Sequence, residues 1–380
     1  MSRSVYILIL LLLLISSVTG AVTDTLMFRG QASLFALYNQ SRKLPLNSGL
    51  RYIPQLNYSL DLKNDHKIDF EASANLAANA GISFFDSISA SDMVKAYRLW
   101  ARYSTRQLEL RVGLQKINFG SANILRPLMW FDQVDPRDPL KLTDGVWGAL
   151  GRYYFLNNAN IWLWCLYGNT KPKGWETSGT NRNFPEVGGR LQLPVPSGEI
   201  AFTYHFRIAD TRNLSESIYQ FEKVNENRVG FDIKLNLFTG IWFEGSMVTR
   251  NKELGINSTQ KIFNAGMDYT FNIGNGIYAV FEQLLAAGGE RSLDFQNRIS
   301  YSLLSLSYPV GISGRLGSIS YYDWGNRKAY NFVNWNKQFG NFSFYLIAYW
   351  NPDIYNIPST GESQNYYGGR GIQAMLVLNH

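Results

Sequence analysis

From residue 26 to residue 379 the chain is a series of short runs in which apolar and polar residues alternate one by one. In NRVGFDIKLNLF, Val229, Phe231, Ile233, Leu235 and Leu237 share one parity, and Arg228, Asp232, Lys234 and Asn236 the other. In EIAFTYHFRI, Ile200, Phe202, Tyr204, Phe206 and Ile208 oppose Thr203, His205 and Arg207. In RQLELRVGLQK, Leu108, Leu110, Val112 and Leu114 oppose Glu109, Arg111 and Gln115. A period of two puts such sets on opposite faces of a pleated strand. About 18 runs of this kind follow one another, each near the ~9–11 residues that cross a bilayer as a tilted strand. Those at 295–308 and 315–337 alternate weakly, which leaves a count of 16 open.

The connections alternate as well. KND, ST, NNA, PVPSG, FT and GN are short, whereas 39–50, 79–92, 117–143, 169–183, 209–225, 250–261 and 351–368 are long and polar. Transmembrane barrels show this asymmetry, with tight turns at the periplasmic end and longer loops outside, and a soluble sandwich has no reason for it. The composition agrees. Charged residues make up 17% of the chain and aromatic ones 15%, against ~25% charged in soluble domains. No segment after the first twenty residues approaches ~18 consecutive apolar residues, so helical spans are not predicted. The expected fold is all-β: a transmembrane antiparallel β-barrel of about 18 strands, in which every backbone polar group finds a partner.

The chain opens MSRSVYILILLLLLISSVTGAV, with Arg3 ahead of an apolar run from Val5 to Ile15 and small residues up to Gly20. That run is too short for a spanning helix of ~20 residues and reads as a secretory signal peptide over 1–20. The remainder, 21–380, reads as a single barrel domain destined for the outer membrane. Without Arg3 the formal net charge falls from +7 to +6. Cys165 is the only cysteine, so no internal disulfide is available, and it is expected to be a small buried side chain.

The segment LRPLMWFDQVDPRDPLKLTDG, 125–145, interrupts the regular pattern with three prolines, four aspartates, two arginines, a lysine and a Trp-Phe pair. It lies in the longest connection, 117–143, the third outside loop. In strand number, loop order and loop length the chain resembles the general porins of Gram-negative outer membranes. That resemblance implies a third loop folded into the barrel to narrow it. A lumen bounded by 16–18 strands is too wide for side chains to fill, so an inward segment has a physical purpose. Pro127, Pro136 and Pro139 stiffen the loop, and Leu128, Met129, Trp130 and Phe131 offer apolar area to pin it to the wall. Arg126, Asp132, Asp135, Arg137, Asp138 and Lys141 would then face water at the narrowing. An outward loop of Asp-Pro turns with internal ion pairs is the plainer alternative. A divalent-cation site is a third, although Asp132, Asp135 and Asp138 lack the spacing of a calcium loop.

Taking each strand's polar face as luminal gives a basic strip of Arg98, Arg102, Arg111, Arg152, Arg190 and Arg207, continued by Arg228 and Lys234. Acidic partners on the same faces are Glu109, Glu186, Glu199, Asp232 and Glu244. The resemblance implies a transverse field between this strip and the loop's aspartates, and the net positive charge favours anionic passengers. Tyr58, Tyr97, Tyr103, Trp147, Tyr153, Tyr204, Tyr269 and Trp350 are candidates for the aromatic girdles. Ile372, Ala374, Leu376, Leu378 and His380 share one parity, as in a closing strand recognised by barrel-assembly machinery, although many porins end in Phe.

The only histidines are His66, His205 and His380, none beside a GxSxG or an acidic dyad, which argues against an enzyme. The expected function is passive diffusion of small polar or anionic solutes through an outer-membrane channel, with membrane lipid as its surroundings and a homotrimer as a candidate assembly. No cofactor, metal or nucleic-acid partner is expected. A dedicated barrel for a charged polysaccharide or a hydrophobic compound, or a surface-binding barrel, remains the alternative.

Overall fold

The computed structural model describes residues 23–83, 87–212, 214, 220–291, 294–353 and 367–380; the signal peptide read over 1–20 lies outside them. Eighteen strands form the wall. They are β1 (Thr23–Asn39), β2 (Leu46–Asp61), β3 (Lys67–Ser83), β4 (Ser87–Ser104), β5 (Leu108–Gln115), β6 (Val146–Tyr154), β7 (Asn160–Leu166), β8 (Glu186–Val195) and β9 (Gly198–Asp210). The rest are β10 (Val224–Asn236), β11 (Gly240–Arg250), β12 (Thr259–Phe271), β13 (Ile277–Gly289), β14 (Gln296–Val310), β15 (Gly314–Asp323), β16 (Lys328–Phe339), β17 (Phe342–Trp350) and β18 (Arg370–Asn379). Each pairs antiparallel with the next, and β18 returns to β1 in the register Gln31↔Asn379 to Asn39↔Gly371. Closure removes both sheet edges, so the strands' backbone groups are satisfied within the wall. The dipeptide Gly179–Thr180 adds a short pairing to the end of β9.

Connections at one end run to between two and five residues, and those at the other include thirty residues between Gln115 and Val146. Two expected loops are shorter than the sequence implies. Strands β1 and β2 pair as far as Tyr38↔Leu46, and β3 and β4 as far as Ser83↔Ser87, so half of 39–50 and most of 79–92 is strand. Their small and polar residues hide the alternation there, although Ile88 and Val94 still point outward, 76% and 75% exposed.

The two faces of β10 separate as the period of two requires: Val229 is 56% exposed on the outer face, whereas Arg228 and Asp232 are buried on the inner one. Cys165 corrects an expectation. It is exposed, on the outward parity with Leu163 and Tyr167, because in a barrel of this kind the apolar face of a strand is the outside. Trp147, Tyr153, Tyr204, Tyr269 and Trp350 are exposed among the girdle candidates. The chain ends against β1: the His380 amide donates to the Gly30 carbonyl at 2.9 Å and its ring stacks on Tyr52.

Candidate functional site

All six arginines of the expected strip are on inward-facing positions; Arg98 donates to main-chain carbonyls, and the other five are paired locally with carboxylates rather than held apart from opposing charge. Arg190 donates to both oxygens of Asp232, at 2.6 and 3.0 Å, and to the Thr203 hydroxyl. Arg207 donates from Nε to Glu226 at 2.6 Å and lies 3.1 Å from Glu176. Arg228 and Arg250 share those carboxylates, Arg228 reaching Glu176 and Glu226 at 2.7 Å and Arg250 reaching Glu226 at 2.7 Å. Three arginines thus sit on two glutamates, one from the wall and one from the connection after β7, and their side chains are buried. Charges in such a place persist only when paired. Nearer β3, Arg102 donates to Asp69 at 2.7 Å and Arg111 to Glu109 at 2.9 Å. Arg152 lies 3.6 Å from Glu109 and stacks over the Trp162 ring, while Arg98 donates to the Thr143 carbonyl at 2.9 Å.

The connection from β5 to β6 runs among inward-facing side chains of several strands. Ser121 donates its hydroxyl to Asp232 on β10 at 2.8 Å. The amides of Ala122 and Leu128 donate to Glu244 on β11, and those of Asn123, Ile124 and Leu125 to Glu282 on β13. Trp130 and Phe131 then turn into the wall of β6, β7 and β9. Phe131 meets Trp164 and His205 edge-on, with ring centres 5.4 and 5.1 Å apart, and Phe119, Leu150 and Leu166 complete the cluster. The Trp130 indole donates to Ser246 at 3.0 Å. Aromatic contacts of this kind add to the burial of the rings themselves. The far end of the segment is tied to β4, where Lys95 pairs with Asp144 at 2.6 Å.

The charged residues of this segment largely do not face water. Arg126 pairs with Asp132 at 2.9 Å and Arg137 with Asp135 at 2.6 Å, and all four are buried. Arg137 also lies 4.9 Å from the Tyr367 ring centre. Asp138 is half-buried and accepts the Leu140 amide, and Lys141 alone of the named residues is exposed. A segment packed against protein must bring its own counter-ions, and these internal pairs do so. Burial pushes the Asp138 carboxyl above the ordinary carboxylate value, with Asp135 adding to the shift and Arg51 opposing it. Among the described residues no group of three or more His, Cys, Asp or Glu gathers as a metal site.

The other half of the interior is apolar. Leu284, Tyr301, Leu303, Ile319, Tyr321, Tyr330, Phe332 and Tyr349, from β13 to β17, form one buried cluster with Leu37 of β1. Leu125, Ile124 and Trp175 pack on it from the inward segments. The Trp175 indole donates to the Arg126 carbonyl at 2.8 Å, joining the connection after β7 to the one after β5. Toward the long-loop end a cavity of about 670 Å³ opens beside β1–β4, bordered by Phe35, Arg42, Lys43, Asn47 and Asn79.

This architecture is that of outer-membrane porins. Acinetobacter baumannii OccAB1 superposes with a TM-score of 0.58 at 8% identity, covering 96% of this chain and 98% of its own. Pseudomonas aeruginosa OccK5 (OpdH) gives 0.56 at 12%, covering 93% and 97%, and Pseudomonas aeruginosa OpdQ gives 0.55 at 10%, covering 94% and 98%. No protein-family model and no curated protein sequence matches the chain. The likeness is therefore one of fold, carried by strand number and closure and not by shared residues.

Proposed function

We propose that the protein is an outer-membrane channel of porin type, passing small polar solutes by diffusion with a preference for anions, and that the β5–β6 connection narrows it. The observation that carries this reading is the set of bonds between that connection and the inward faces of β4, β10, β11 and β13. A closed wall of eighteen strands is wide enough to hold a water-filled lumen, and a segment bonded across several sectors of it obstructs the path. The anion preference rests on net positive charge and on the part-exposed Arg102, Arg111 and Arg152 along β4–β6. Export by the leader and closure of β18 on β1 fit insertion into the outer membrane by barrel-assembly machinery. The apolar half of the interior does not favour a hydrophobic passenger, because Leu125, Ile124 and Trp175 cover it.

The test is planar-bilayer recording of the protein refolded in detergent. Discrete conductance steps and a reversal potential of anion-selective sign in a salt gradient are expected. Absence of steps, or clear cation selectivity, would contradict the reading.

A further inference from the structure

Five consecutive or near-consecutive main-chain amides of the β5–β6 connection end on only two carboxylates. Glu282 accepts Asn123 and Ile124 on Oε1, at 2.8 and 3.1 Å, and Leu125 on Oε2, at 2.6 Å. Glu244 accepts Ala122 on Oε2 at 2.9 Å and Leu128 on Oε1 at 2.5 Å. Both carboxylates project inward, from β11 and β13, and both are fully buried beneath the segment they bind. These bonds satisfy both oxygens of each buried side chain. An unpaired carboxylate in the same place would carry a large desolvation cost.

The segment's own sequence is fitted to this contact. Gly120 has φ +105°, a conformation that L side chains rarely adopt, and a Cβ there would lie 2.5 Å from Glu244 Oε2. Gly230, on the neighbouring β10, leaves the space that Leu128 enters, since a Cβ there would lie 2.5 Å from the Leu128 side chain. Backbone and wall are thus shaped so that the chain passes close over the carboxylates.

We propose that Glu244 and Glu282 are the positioning residues of the channel: a two-carboxylate clasp on main-chain amides that sets where the inward segment crosses the lumen, and so the aperture. This rests on the porin reading above. The clasp takes no side chain from the segment: it holds residues 122–128 by their main chain. Replacing a carboxylate by a carboxamide keeps one acceptor but sets an NH2 donor against an N–H donor, which opens the clasp while conserving shape.

The experiment is single-channel recording of E244Q, E282Q and the double variant, alongside the protein lacking residues 127–141. Each is first checked for assembly by its heat-dependent gel mobility. The double variant is expected to assemble, to conduct more than the parent, and to show several-fold greater open-channel noise as the segment moves. Gly120→Val leaves both carboxylates in place and crowds the segment away from Glu244, so it is expected to act in the same direction. The clasp is refuted if the deletion enlarges conductance while the double variant keeps the parent's amplitude and noise. Should the double variant not assemble, Gly120→Val with parental amplitude and noise refutes it equally. If the deletion itself changes nothing, the narrowing role of the segment fails, and the clasp with it.

Discussion

The interior has two halves that hold the inward segments by different means. From β8 to β11 the wall is ionic: Arg190, Arg207, Arg228 and Arg250 are matched to Asp232, Glu226 and Glu176. From β13 to β17 it is apolar and aromatic, with Tyr301, Leu303, Tyr321, Tyr330 and Phe332 packed on Leu125 and Trp175. The ionic half is geometrically demanding, because a misplaced partner leaves a buried charge unpaired. The apolar half is tolerant in direction and contributes through area and close packing. One segment resting on both is oriented by the first and pressed down by the second.

That difference ranks the expected effects of substitution. Asp232→Ala strands Arg190 in a buried site and removes the acceptor of Ser121, so unfolding in denaturant should show a loss of about 3–5 kcal/mol. Replacing both partners, as in Arg190→Met with Asp232→Leu, should recover most of it. If the single variant is as stable as the parent, the ionic half is not set by pairing. In the apolar half, Leu303→Ala should cost about 2–5 kcal/mol by opening a cavity, with no partner substitution able to rescue it. On the outer face of β10, Phe231→Arg should cost about 2–4 kcal/mol if it meets lipid near the bilayer centre. Measuring it in detergent and in bilayers separates lipid exposure from packing.

Charge changes should act on ions more than on stability. Neutralising Asp132, Asp135 and Asp138 together releases Arg126 and Arg137 from their partners and should move the reversal potential toward anions. Neutralising Arg98, Arg102 and Arg111 removes three positive charges from the wall, leaving Asp69 to Lys67 and Glu109 to Arg152, and should move it the other way. Shifts of a few-fold in permeability ratio are expected, on the order of 1 kcal/mol or less for part-exposed charges. The smallest effect is one of pH. Because burial raises the Asp138 carboxyl above its ordinary value of 3.8, the packed segment holds a proton that the released segment would lose. Packing is therefore firmest in acid and weakens as pH rises through the interval between the two values. Open-channel noise should grow across that interval in the parent and grow less in Asp138→Asn.

Much of the fold was legible in the sequence, and the exceptions follow the same two halves. The ionic half alternates cleanly, as in NRVGFDIKLNLF, because its inward positions are charged and its outward ones apolar. The apolar half does not: in QNRISYSLLSLSYPV the inward residues include Ile299, Tyr301 and Leu303 while the outward ones include Ser300 and Ser302. Binary patterning fails there because the inside of the barrel is not wet where a segment covers it. Trp130 and Phe131 were legible as an anchor from composition alone, and their seat on Trp164 and His205 was not. Nor was the role of Glu244 and Glu282, since a carboxylate that binds main-chain amides selects no side chain at the residues it binds, and Gly120 by itself names no partner. Charge counted against an expected lumen puts the aspartates in water. Desolvation within the segment pairs two of them with Arg126 and Arg137 instead.

The proposed function makes the β5–β6 connection the limit on an otherwise wide lumen. It is tested most directly by single-channel conductance of the assembled barrel with and without residues 127–141. The deletion removes the stiff prolines and the Trp130-Phe131 anchor while leaving every strand intact, so the account predicts an assembled barrel with a larger conductance step. A deletion variant that assembles and conducts with the parent's step and selectivity would contradict it.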